Sequence, residues 1–169
     1  MTILPLPLPE PPLADGELRV RPWRAEDAAA LALAWADPEV ARWTGVPAAC
    51  DEAAARRWID GDAARRAAGR SLDLVVEVDG AVAGEVGLVG PGLLRPGASV
   101  EIGWWVGPAH RGRGLATRAV RLVAAWAVEE LDRPVLEAVC DPANPASAAV
   151  ARRAGFTPDG DRWRYAGGG

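Results

Sequence analysis

The chain has 169 residues, half of them apolar and a quarter charged, which suits one compact domain with a sizeable core and is short for two. With 19 basic against 23 acidic side chains, a net charge of -4, it lacks the basic surplus of a protein that grips a nucleic-acid backbone, so no nucleic-acid partner is expected. Every basic residue is arginine, which removes lysine chemistry. The lone histidine and the two cysteines, Cys50 and Cys140, form neither a zinc-spaced cluster nor a disulfide framework, and no metal is expected.

No apolar run approaches the roughly 20 residues that cross a bilayer. The apolar start through Leu8 is broken by Pro5, Pro7 and Pro9 and has no basic lead, so it makes a poor signal peptide. A reducing, cytoplasmic setting without a membrane partner follows as the expectation. Residues 1–14 read as a disordered, proline-rich arm, and 15–169 as a single domain.

From there the pattern sets the elements. Glu17 to Arg21 alternates and predicts a short strand. Ala28, Leu31, Ala32 and Trp35 line one helical face up to Pro38. A second helix is predicted from Asp51, a suitable N-cap, to Ala68, with Gly69 as its stop. Its arginine pairs, Arg56-Arg57 and Arg65-Arg66, read as a solvated face.

The period then changes to two. Leu72, Leu74, Val76 and Val78 share one face of a strand, Asp79-Gly80 is a two-residue hairpin turn, and Val82, Gly84, Val86 and Leu88 form the return. Ser99 to Val106 puts Val100, Ile102, Trp104 and Val106 on one face, so Glu101, Gly103 and Trp105 face the other way. A long helix from Gly114 to Leu131 follows on the spacing of Leu115, Ala119, Leu122 and Trp126. Val135 to Cys140 is an apolar strand, Ala146 to Ala154 a helix closed by Gly155, and Arg162 to Tyr165 a last strand. The predicted architecture is an α/β sandwich on a mixed sheet.

One segment carries chemistry. Arg111-Gly-Arg-Gly-Leu-Ala116 lies between a strand end and a helix start. Its glycines let the backbone approach a ligand, and the free N–H groups of a first helical turn face outward, as phosphate binding requires. A plain strand-to-helix connection is the alternative. A nucleotide P-loop lacks its lysine and its Ser/Thr here.

These residues resemble a family. Val100-Glu-Ile-Gly-Trp-Trp-Val106, followed by His110-Arg-Gly-Arg-Gly-Leu-Ala-Thr117, is similar to the acetyl-coenzyme A signature of the GNAT N-acetyltransferases, Arg/Gln-x-x-Gly-x-Gly/Ala. Arg111, Gly114 and Ala116 take the three defining positions. Asn144-Pro-Ala-Ser147 and Ala154-Gly-Phe156 resemble the two ends of the family's next helix. Leu18 to Asp27 and Asp37 to Trp43 resemble the ribosomal-protein N-terminal acetyltransferase branch, the RimJ/RimL type. The resemblance spans about residues 17–166. It implies a largely antiparallel mixed sheet that splays between the fourth and fifth predicted strands, flanked by about four helices.

It also implies acetyl-coenzyme A as cosubstrate, an amine-bearing acceptor (a protein N-terminus or a small molecule), and a monomer or homodimer. Pyrophosphate would lie on Gly112, Arg113, Gly114, Leu115, Ala116 and Thr117, with Arg111 beside it and Asn144 near the pantetheine. Asn144 doubles as a helix N-cap. Backbone N–H groups at Trp105 and Val106 would serve the oxyanion.

Amine acetylation needs a proton acceptor. Glu101 is the candidate on an otherwise apolar strand, since a carboxylate in such surroundings takes up a proton near neutrality; the alternative is a structural carboxylate, with Glu85 as a substitute base. Ser147 is the candidate donor to the departing thiolate, or simply a small residue in a first helical turn. A tyrosine that some relatives place before the Gly-Phe pair is Ala151 here, and Tyr165 is a remote second choice. His110 reads as a solvated loop residue, and Cys140 as packing. Trp104 and Trp126 read as core, and so by preference do Trp35, Trp43 and Trp105, whose alternative role is to wall an acceptor pocket. A non-catalytic acyl-coenzyme A sensor is the rival reading.

Overall fold

The computed structural model describes residues 6–46 and 50–167. Its eight strands are β1 (Leu13–Asp15), β2 (Leu18–Pro22), β3 (Ser71–Val78), β4 (Ala81–Val89), β5 (Val100–Val106), β6 (Val135–Ala138), β7 (Thr157–Asp159) and β8 (Arg162–Ala166). They form one sheet in the order β1-β2-β3-β4-β5-β6-β8-β7. All pairs are antiparallel except β5–β6, which is parallel.

Six α-helices complete the fold: α1 (Ala28–Trp35), α2 (Pro38–Thr44), α3 (Glu52–Asp60), α4 (Asp62–Ala67), α5 (Leu115–Glu129) and α6 (Pro145–Arg153). This exceeds the four expected from the periodicity. Asp37 caps α2 by accepting from the Val40 amide at 3.0 Å, with Pro38 in the first helical turn, and a helix of that length shows too few turns for periodicity to register. The helix predicted from Asp51 to Ala68 is broken at Gly61 into α3 and α4.

Alternation divides the sheet as predicted. Leu72, Leu74, Val76, Val78, Val100 and Ile102 face α5 in the larger core, whereas Val75 and Trp105 join Trp23, Leu31, Trp35, Ala55 and Ile59 in a second core on the opposite face. The Asp79-Gly80 turn has φ of 51° and 77°, as the tightest hairpin demands. One register shift between Val76 and Glu77 turns the return strand over, so Ala83 enters the large core and Val82 the small one. The expected alignment of Val82 with Val86 fails for that reason.

The proline-rich arm also departs from expectation. Residues 1–5 lie outside the described residues, but Leu6 is buried in the large core, with Leu8 and Leu13 packed on it. The Leu6 carbonyl accepts from Arg66, and β1 pairs with β2. Proline-rich chain lacks internal hydrogen bonds, so it orders only where leucines find a core, and here they do. Arg65 and Arg66 are accordingly no solvated face. Arg65 stacks on Trp58 with 4.0 Å to the ring centre and pairs with Asp73. Arg66 pairs with Asp62.

Candidate active site

The parallel pair β5–β6 holds for two register positions, Val100↔Leu136 and Glu101↔Glu137. Beyond them the strands part. β5 continues to Val106 on the β4 side, Gly84↔Val106 being its last pair, so its other edge presents unpaired backbone groups toward the opening.

Two clefts flank that edge. One, of about 480 Å³, runs along Val106, Arg111, Gly112, Gly114, Leu115, Ala116 and Thr117 to α6. Gly112 and Gly114 adopt φ of 75° and 71°, and a Cβ at either would meet nothing within 4 Å. The backbone therefore curls in a conformation that favours glycine around open space at the N-terminus of α5, whose first N–H groups have no helical partner. Arg111 is fixed rather than free: it donates from Nε to the Val106 carbonyl at 3.1 Å and from its guanidinium to Asp37 at 2.6 Å. The guanidinium holds the Asp37 carboxyl below the usual carboxylate range. Arg113 is exposed on the same loop.

The second cleft, about 670 Å³, is lined by Trp35, Trp58, Asp73, Glu85, Gly87, Glu101, Gly103 and Asp141 among others. Trp43, Thr44, Trp104, Trp105, Asn144 and Ser147 line both clefts. The predicted loop residues, Asn144, Ser147 and Glu101 thus come together around one opening, and Trp35, Trp43 and Trp105 do wall it. Trp104, read as core, lines it too. Asn144 caps α6, accepting from the Ser147 amide at 3.2 Å, and its side chain still borders both clefts.

The surroundings of the two carboxylates differ from expectation. Glu101, with a side chain 41% exposed, faces the guanidinium of Arg162 at 3.4 Å, so the apolar environment expected of it is absent. Glu85 has that environment. Its Oε2 accepts from the Trp23 indole at 2.9 Å and its Oε1 from the Trp105 indole at 3.1 Å. Burial, reinforced by the nearby charge of Asp73, pushes its carboxyl up to about 8. Burial raises Asp73 as well, against the bonds from Ser71 and Arg65. The strand alternation that exposed Glu101 places Asp73 on the same face; Trp23 and Trp58 carry no such mark.

Ser147 Oγ lies 3.5 Å from Cys140 Sγ, and burial pushes the Cys140 thiol up. His110 borders the first cleft with Nδ1 buried and unpaired. Tyr165 stacks on Phe156, 5.2 Å between ring centres. Ala151 is buried in the core.

Residues 17–157 match the family described as acetyltransferase (GNAT) domain. The chain belongs to the GNAT family. A 59-residue stretch of this GNAT chain is 42% identical to the "Probable N-acetyltransferase YjcK" of Bacillus subtilis (strain 168), covering 35% of this chain and 33% of that one. The match thus spans about a third of that curated relative. Two solved structures share the fold. The ribosomal-protein-S5-alanine acetyltransferase of Vibrio fischeri superposes with a TM-score of 0.79 at 16% identity, over 92% of this chain and 96% of its own. The aminoglycoside acetyltransferase AAC(6')-Ib in complex with coenzyme A does so with 0.72 at 16% identity, over 89% and 95%. The sheet and its opening after Glu101 are thus those of a GNAT fold. Among the described residues no helix is long and apolar enough to cross a membrane, and no group of His, Cys, Asp and Glu is arranged to hold a metal.

Proposed function

We propose that the protein transfers an acetyl group from acetyl-coenzyme A to a primary amine by direct attack in a ternary complex. The observation that carries this reading is the meeting of the two clefts at Trp105, Asn144 and Ser147 beside the unpaired edge of β5. A thioester reaching that point from the glycine loop would face an amine arriving from the tryptophan-lined side.

In this reading the amides from Gly112 to Thr117 receive the pyrophosphate, with Arg113 adding charge and Arg111 bracing the loop. The pantetheine pairs with the β5 edge near Asn144. Backbone N–H groups at Trp105 and Val106 stabilise the oxyanion, and Ser147 donates to the departing sulfur. Two glutamates, Glu85 and Glu101, face the acceptor cleft from adjacent strands, and one of them supplies the proton acceptor.

The cleft lining sets the carboxyl groups of Asp73, Glu85, Glu101 and Asp141 against Arg42 alone, an acidic set that favours a cationic acceptor, most strongly once Glu85 has given up its proton. The two structural relatives are named for a ribosomal-protein alanine and for an aminoglycoside, so both a protein and a small-molecule acceptor stay within this reading, as does a cytoplasmic setting. A thiol-release assay with acetyl-coenzyme A over N-terminal peptides, polyamines and aminoglycosides tests it. Turnover with one class identifies the acceptor. Tight acetyl-coenzyme A binding without turnover on any amine would instead make the chain an acyl-coenzyme A sensor.

A further inference from the structure

We propose that Glu85, rather than Glu101, takes the proton from the acceptor amine, with Trp23 and Trp105 as the positioning residues that aim it. The proposal rests on the acetyltransferase reading above.

The sheet face under the acceptor cleft is laid out in three rows by strand register. Val75, Glu85 and Trp105 form one row, Asp73, Gly87 and Gly103 the next, and Ser71, Val89 and Glu101 the third. In the middle row two adjacent strands carry only hydrogen where a side chain would stand. A Cβ on Gly103 would meet nothing within 4 Å. A Cβ on Gly87 would come to 3.0 Å of an Asp73 carboxylate oxygen, so the trough is bare over Gly103 alone; it opens toward the free edge of β5, flanked by Glu85 on one side and Glu101 on the other. An amine lying there in line with the thioester has both glutamates beside it, while Asp73 at the far end already accepts from Ser71 and Arg65, so the surroundings of the two glutamates decide between them.

Glu101 is engaged by Arg162, which Glu137 shares at 3.5 Å, at the exposed rim. One of its two oxygens is thereby taken up by the guanidinium. Glu85 is held from two separate elements by neutral indole N–H groups, one on each oxygen, which leaves further lone pairs free on both oxygens. Among the described residues no arginine hydrogen-bonds to it or forms an ion pair with it. The charged groups around it are Asp73, with Arg65 behind that residue, and Glu101, Arg42 and Asp141 along the cleft. Burial and Asp73 bring its proton affinity close to neutrality, the range in which a general base works best.

The step balances. Glu85 takes one proton from the ammonium, and the lone pair so freed forms the carbon–nitrogen bond to the acetyl carbonyl. The carbon–sulfur bond breaks with its electron pair on the coenzyme sulfur. A second nitrogen proton ends on that sulfur as the thiol, and Glu85 returns its proton to solvent.

The test compares the wild type with Glu85→Gln, Glu101→Gln and Trp23→Phe, using acetyl-coenzyme A and the best amine from the panel across pH 6–10. Glu85→Gln should lower kcat by about 10²–10⁴, the scale of general-base catalysis, with acetyl-coenzyme A affinity unchanged and rate regained at high pH. The rise of kcat/KM near pH 8 should move in Glu85→Gln to the pH at which the acceptor amine itself loses its proton, persist in Glu101→Gln and shift in Trp23→Phe. Because Glu85 touches two indoles, tryptophan fluorescence should show a step in the same pH range that Glu85→Gln abolishes, independently of turnover. Near-normal kcat in Glu85→Gln beside an active wild type overturns the proposal alone, as does loss of the pH 8 limb in Glu101→Gln only. A wild type inactive on every amine overturns the acetyltransferase reading and the proposal with it.

Discussion

Trp105 donates its indole N–H to the carboxylate of Glu85, the residue directly opposite it across β4 and β5, at 3.1 Å. That bond joins a residue lining both clefts to a carboxylate whose proton affinity is raised, and it has a thermodynamic consequence. Glu85 titrates at about 8 in the fold against an ordinary 4.5, so the folded protein keeps a proton that the unfolded chain releases. Stability from this group is complete below about pH 4.5 and declines as pH rises toward 8, by up to about 1.4 kcal/mol per pH unit. Glu85→Gln should flatten that decline. Urea unfolding at a series of pH values checks it, and parallel curves for the two proteins would mean that Glu85 is unshifted.

The trough gives a variant that separates the two substrates. Gly103→Val adds a side chain where the space is open and on a strand, which suits valine. The fold should survive, the KM for the amine should rise tenfold or more, and coenzyme A affinity should hold. Equal loss of both affinities would show that the trough belongs to the cofactor.

At the other cleft the order reverses. Gly114 sits at φ of 71° with open space before it, so Gly114→Val fills the place assigned to pyrophosphate and strains the backbone by about 1–2 kcal/mol. Calorimetric titration should show acetyl-coenzyme A affinity falling at least tenfold in a folded protein. Unchanged affinity would remove the loop from the cofactor site.

The arm offers a stability test. Leu6 is 7% exposed and packs in the large core, so Leu6→Ala should cost about 2–3 kcal/mol, the lower range for a buried leucine. Deleting residues 1–13, which composition alone marks as harmless, should cost at least as much because Leu8 and Leu13, the first residue of β1, go with Leu6. Matching denaturation midpoints for the full and shortened chains would show that the arm is not held.

Much of the sheet was legible because its signals are local. Asp79-Gly80 announces its own turn, and the alternation from Leu72 to Val78 and from Val100 to Val106 sorts each residue to the face it occupies. The glycine loop was legible too, since φ above zero and an N-terminal helical turn are properties of neighbouring residues. What escaped depends on distant partners. Glu101 lost its apolar setting to Arg162, and Glu85 gained one from Trp23, 62 positions away. Ala83 took a core place through a register shift that alternation alone does not reveal. The two three-residue strands, β1 and β7, are too short to show any period.

Those two strands are also the edges of the sheet. Pro11 and Pro12 run directly into β1, and Pro158 is the middle residue of β7. Short, proline-marked edges are poor templates for a further strand. The sheet is therefore closed to growth at both ends, which guards a chain half apolar in composition against edge-to-edge aggregation. Shortening the arm past β1 would uncover Leu18–Pro22, a longer edge, and put solubility at risk before activity.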